Sequence, residues 1–199
     1  MSIFNLNIQN ENTGNKIVAG LERLSHVFKT LLWEKAKEFG LSPIQIQILL
    51  FTQYHSDEKN TVSYLAKEFN VTKPTVSDAV KVLEQKKLIA KYNDSSDFRS
   101  YYLKPTIEGK RIIKETEQFT DPVADIISGV SEIDKEIIWE NISNLIAKLN
   151  RQGVVTVQRS CNNCIYLTTG GTTYFCNLLK QPLHTKDLRL DCPEFTQAV

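Results

Sequence analysis

The sequence predicts a mainly α fold with a small β wing, a winged helix-turn-helix set between long N- and C-terminal helices suited to dimerisation. Three observations predict it. Residues 61–86 hold two helical apolar patterns separated by too short a turn for antiparallel neighbours in a bundle. Two short strand-like runs about a polar turn follow at once, at Leu88-Ile89-Ala90 and Tyr101-Tyr102-Leu103. Long stretches with helical apolar stripes stand on either side, over 15–39 and 131–151.

The 199 residues are enough for one packed domain plus an appendage. At 41% hydrophobic and 24% charged, the composition is that of a soluble globular protein. The opening MSIFNLNIQNEN has neither the basic start nor the apolar core of an export signal, and no apolar run is long enough to span a bilayer. A cytoplasmic location without membrane association is therefore expected.

In chain order, residues 1–14 read as a polar, irregular arm. Ile17, Leu21, Leu24, Phe28, Leu31 and Leu32 then space a long helix that Gly40 stops. Ser42, Pro43 and Gln45 supply a cap, a first-position proline and a capping box for a helix whose Ile46, Leu49, Leu50 and Tyr54 point inward. His26 and His55 have no second ligand-type residue at metal spacing and read as structural or solvent-facing. Thr61 caps the first helix of the helix-turn-helix. Thr72 caps the second, which runs to 85 or 86 with Pro74 in its first turn and Val76, Ala79, Val80 and Leu83 on its inner face. After the hairpin, Thr106 caps a helix through Ile112, Ile113, Thr116 and Phe119, which Pro122 breaks. Ser131 opens the last long helix, striped by Ile133, Ile137, Ile138, Ile142, Leu145, Ile146 and Leu149, with Trp139 off the centre of the stripe. These end helices are expected to pair two copies of the chain; the competing reading packs them on one another within a monomer.

The outer face of the helix after Thr72 carries Thr72, Lys73, Thr75, Ser77, Asp78 and Lys81. Short hydroxyls lead and lysines follow, a set suited to a helix N-terminus lowered into a major groove of double-stranded DNA. An amphipathic helix with a solvated polar face would look similar. Residues 72–104 hold seven Lys or Arg against four Asp or Glu, in a chain whose formal net charge is only +1, which makes a basic patch and not a basic protein.

The order of these elements resembles the MarR family of bacterial transcriptional regulators over roughly residues 15–150. Ser42-Pro43-Ile44-Gln45, Thr61-Val62-Ser63-Tyr64-Leu65-Ala66, Thr72-Lys73-Pro74-Thr75-Val76-Ser77 and Leu83-Glu84-Gln85-Lys86-Lys87-Leu88-Ile89 look like successive family segments. Lys87 stands where the family usually has glycine, and Pro105 where it usually has leucine. Asp97-Phe98-Arg99 resembles the family's wing motif. By that resemblance Arg99 enters a minor groove and Asp97 holds the loop. The resemblance implies a homodimeric repressor or activator on a near-palindromic site. It also admits an unidentified small-molecule effector or cysteine oxidation as the signal.

Beyond Arg151 the chain departs from that pattern. Residues 1–151 read as a winged-helix DNA-binding and dimerisation domain and 152–199 as a small four-cysteine metal-binding extension. Cys161, Cys164, Cys176 and Cys192 are spaced C-x2-C-x11-C-x15-C, and thiols kept apart from the rest of the chain in a reducing compartment read as ligands. Four thiolates suit a tetrahedral Zn2+ site or a [4Fe–4S] cluster. The single close pair and the Cys192-Pro193 order favour the cluster; zinc as a constitutive brace and metal-free thiols are the alternatives. His184 is a minor candidate for a substituted ligand, and Thr168–Thr173 reads as a turn. No acid, base and nucleophile set is evident, so an enzyme is the weakest class. A winged-helix protein-interaction module with a structural zinc is the second reading.

Overall fold

The computed structural model of the chain describes residues 2–93, 101–170 and 173–198. The expected irregular arm is instead partly helical. Asn5 accepts from the backbone N–H of Asn7 at 3.0 Å and opens α1 (Leu6–Glu11), and Asn12 caps the long α2 (Thr13–Glu38) through Asn15 N–H. Asparagine stops one helix and starts the next because its short carboxamide replaces an absent backbone partner. Gly40, at φ 58°, closes α2 as expected, with Leu41 N–H donating to Ala36 O at 2.9 Å.

Helix α3 (Pro43–Tyr54) begins with Gln45 Oε1 accepting from Ser42 N–H at 2.8 Å. It supplies the centre of the core through Ile46, Ile48 and Leu49, all inaccessible to solvent. Tyr54 does not join them. At the last turn it lies beyond the core, 64% exposed, with its hydroxyl donating to the Glu117 carboxylate. Helices α4 (Val62–Glu68) and α5 (Lys73–Gln85) pack on α3 through Leu65, Val76, Val80 and Leu83. Thr61 and Thr72 accept from Tyr64 N–H and Thr75 N–H, so both predicted caps form.

Lys87 adopts φ 56°, the left-handed conformation that a glycine would take without strain. Leu88 N–H then returns to Leu83 O at 2.9 Å and the chain enters β1 (Ile89–Asn93), antiparallel to β2 (Tyr101–Pro105). Asn60, fully buried, ties this wing to α3. Its carboxamide donates to Thr52 O and His55 O, and its own carbonyl accepts from Leu103 N–H at 2.9 Å.

The Thr106 hydroxyl donates to Lys87 O at 2.7 Å and accepts from Gly109 N–H, opening α6 (Ile107–Thr116). The break expected at Pro122 is a 3-10 turn at Glu117–Thr120. Pro122 then sits in the first turn of α7 (Asp121–Ser128), where no donor is lost. Helix α8 (Glu132–Arg151) completes the N-terminal unit.

The two end helices do not hide their stripes in the single chain. Ile17 is 56% and Leu24 50% exposed on α2, and on α8 Ile133 is 74% and Ile137 53% exposed. The other side of α8, with Ser143 and Ala147 buried, faces the C-terminal extension.

That extension has structure the sequence reading did not foresee. Strands β3 (Leu167–Gly170), β4 (Thr173–Cys176) and β5 (Gln181–Leu183) form an antiparallel sheet in that order, so Thr168 and Thr169 belong to a strand and not a turn. Its anchors on α8 are side-chain hydrogen bonds: Asn163 to Asn150 at 2.8 Å, Asn162 to Ser143, and Trp139 Nε1–H to Thr185 O at 3.0 Å. Thr156 donates from the linker to Lys67 O, at the end of α4.

Candidate nucleic-acid interface and cysteine cavity

Thr72, Lys73, Thr75, Ser77, Asp78 and Lys81 all lie exposed on α5, while Val76, Ala79, Val80 and Leu83 fill its buried face. One distinction within the set emerges. Thr72 is committed to the helix end, its hydroxyl accepting from Thr75 N–H and lying 2.8 Å from the Thr75 hydroxyl. Thr75 and Ser77 are the outward hydroxyls. Asp97 and Arg99 lie outside the described residues.

The base of the wing adds groups that sequence reasoning missed. The register places Tyr92 opposite Tyr102, with rings stacked at 5.8 Å. Lys104 Nζ lies 5.0 Å from the Tyr102 centroid and Lys91 Nζ 4.9 Å from that of Tyr101. Both lysines are also ion-paired, Lys91 with Glu84 at 2.7 Å and Lys104 with Asp57 at 2.9 Å, and each pairing holds the amine above its ordinary range. The local basic surplus is therefore partly spent within the protein. Lys73, Lys81, Lys86 and Lys87 are exposed and in no ion pair among the described residues. The pairing of Tyr92 with Tyr102 follows from the register of β1 on β2, which the sequence reading did not assign.

All four cysteines line one cavity of about 40 Å³, together with Leu179 and Leu183. A 3-10 turn at Cys161–Asn163 brings Cys161 and Cys164 to one side, Cys176 ends β4, and Cys192 comes from the last segment. No disulfide joins any of them. Arg189 N–H donates to Cys161 Sγ at 3.2 Å, the kind of donor that steadies a thiolate. Burial, helped by the three neighbouring cysteines, pushes the Cys161 thiol up against that donor. Among the described residues, no group of three or more Cys, His, Asp or Glu side chains is arranged to hold a metal ion. His184 is exposed and outside the cavity lining, its backbone N–H donating to Asp187.

Between the cavity and the helix-turn-helix sits Arg159, its side chain only 6% exposed. Its guanidinium forks onto Asp191, with Nε and Nη2 each 2.6 Å from a carboxylate oxygen, and onto Glu68, with Nη1 at 2.6 Å and Nη2 at 3.2 Å. Nη1 also donates to the Tyr64 hydroxyl at 2.9 Å, and the plane lies over the Phe51 ring at 5.5 Å. His55, expected to be structural or solvent-facing, stacks on Phe51 at 3.7 Å and reaches Asp191 at 2.9 Å. Burial disfavours the Arg159 cation, but the hydrogen bonds of Asp191 and Glu68 outweigh it and raise its pKa. Burial likewise opposes ionisation of Asp191, and Arg159 and His55 reverse this, holding the carboxyl at about 2.

Known proteins share the first of these two regions. Residues 39–100 match the MarR family. A crystal structure of a Staphylococcus aureus MepR–DNA complex is 29% identical, with TM-score 0.54 over 66% of this chain and 97% of that one. S. aureus MepR in its DNA-binding conformation is 26% identical, with TM-score 0.59 over 67% and 98%. A further structure of MepR, a transcription regulator of the S. aureus multidrug efflux pump MepA, is 27% identical, with TM-score 0.51 over 65% and 95%. About a third of this chain lies outside each of these similarities. The sequence match to the MarR family thus falls on the segment whose described residues, from α3 to β2, are arranged as a helix-turn-helix followed by a two-stranded wing.

Proposed function

We propose that the chain is a transcriptional regulator that binds double-stranded DNA as a homodimer, with α5 in the major groove and the wing in the minor groove. The observation that carries this reading is the exposed row Lys73, Thr75, Ser77, Asp78 and Lys81 on a helix whose opposite face is locked into the core. Likeness to the MepR–DNA complex and to MepR in its DNA-binding conformation supports it. The exposed stripes of α2 and α8 are the surfaces that pair two copies, since apolar faces of that length are costly to leave in water. Two copies then present two α5 helices to half-sites about 34 Å apart. The test is in vitro selection from a randomised duplex library, followed by fluorescence anisotropy on the selected duplex. Binding at least about 1,000-fold tighter than to unrelated duplex is expected, and equal affinities would overturn the reading.

The cysteine cavity is the sensing part of the same proposal. Four thiols on one small, mainly apolar cavity and a backbone donor to one sulfur support this reading, and the thiols would have to close on such a group, since as they stand no three of them are arranged to hold a metal ion. With one close Cys pair and Pro193 after Cys192, a [4Fe–4S] cluster is preferred to Zn2+. Bound there, it would add folding free energy to a small module and make DNA binding respond to redox state. Anaerobically purified protein should show a broad visible absorption band with iron and sulfide in equal amounts. One zinc per chain and no such band would overturn the cluster, and no metal at all would overturn both.

A further inference from the structure

The C-terminal extension touches the helix-turn-helix directly, through Arg159 on Glu68 and Thr156 on Lys67. We propose that Arg159 is a positioning residue that couples the four-cysteine module to α4 and, through α4, to the DNA-reading helix α5. The inference rests on the DNA-binding reading above for its readout, and not on what occupies the cysteines.

Both tail-side parts of the clamp are tied to cysteines. Arg159 precedes Cys161 by two residues and its carbonyl accepts from Cys192 N–H at 3.0 Å; Asp191 immediately precedes Cys192. The guanidinium plane is set by the Asp191 fork, and the same plane determines whether its second edge meets Glu68, the last residue of α4. A displacement of Cys161 relative to Cys192 therefore rotates or withdraws the donors offered to Glu68. A planar fork tolerates little such rotation before hydrogen bonds are lost. Arg159 itself is buried, with the Phe51 and Tyr64 rings side by side against its guanidinium, while Asp191 stays partly open to solvent. Helix α4 packs against α5 through Leu65 and Ala66, and a shift at Glu68 reaches the exposed row of α5 within one helix-helix contact.

The alternative is an inert staple that holds the extension in place without reporting its state. A double-mutant cycle on the full chain separates the two, read as affinity for the duplex selected by the wild type. Cys192→Ser should change that affinity by about tenfold in the wild-type background and by less than about twofold in a Glu68→Gln background. The same tenfold change in both backgrounds, or no change in the wild type, overturns the proposal. Asp191→Asn, which keeps all four thiols, provides a second cycle against Glu68→Gln. Non-additivity supports coupling and additive effects overturn it, should Cys192→Ser fail to fold. Metal content is measured alongside: a wild type without metal overturns the cluster reading, while the cycles still decide the coupling.

Discussion

Two backbone positions show how single residues hold the turn from α5 into the wing. Lys87 bears a left-handed φ of 56° with a side chain attached, a conformation that costs about 1 kcal/mol relative to glycine. Lys87→Gly should raise the urea midpoint by the equivalent of about 0.5–1 kcal/mol, an increment that a compensating loss of unfolded-state order would reduce. Gly109 is the reverse case. A Cβ there would lie 2.0 Å from the Leu88 carbonyl oxygen, so Gly109→Ala must push α6 away from the start of β1. A loss of about 1–3 kcal/mol is expected in the same denaturation assay. The departure at Lys87 was visible in the sequence, and the structure accommodates it by strain and not by a different turn. The close approach at Gly109 was not visible, since it depends on where Thr106 is fastened to Lys87 and Leu88.

The lysines of this region divide into Lys73 and Lys81 on α5, in no ion pair among the described residues, and Lys91 and Lys104 on the neighbouring wing, which are already paired. Lys73→Ala and Lys81→Ala should each weaken DNA binding and lower the slope of log affinity against log salt by about 0.9. Lys104→Ala should lower it less, because Asp57 already holds that ammonium at 2.9 Å. Anisotropy titrations at several salt concentrations check both. Caps and faces of α4 and α5 were legible because they are set within one or two turns: Thr61 and Thr72 each bond a backbone N–H three residues on. The three-stranded sheet of the extension was not legible. Its strands are three or four residues long, too short to display a period of two.

At the scale of the molecule, the exposed faces of α2 and α8 make the single chain an incomplete object. A charge placed on each face, as in Leu24→Glu with Ile142→Glu, should give a monomer by sedimentation. Affinity for a two-half-site duplex should then fall by at least about 100-fold, because the second recognition helix no longer arrives already tethered. A dimer that persisted with both charges in place would move the interface elsewhere. By itself the sequence determined the helix-turn-helix, the two strands that follow it and the outward row on α5. Each of these is encoded by local periodicity, caps or spacing. Only the tertiary structure decided that the four-cysteine extension sits on the helix-turn-helix. Arg159 meets Asp191 across 32 residues of sequence and Glu68 across 91, and an ion pair leaves no periodic trace in the residues between. Such a contact exists because the folded chain brings burial and opposite charge to one point, a condition that no local pattern states.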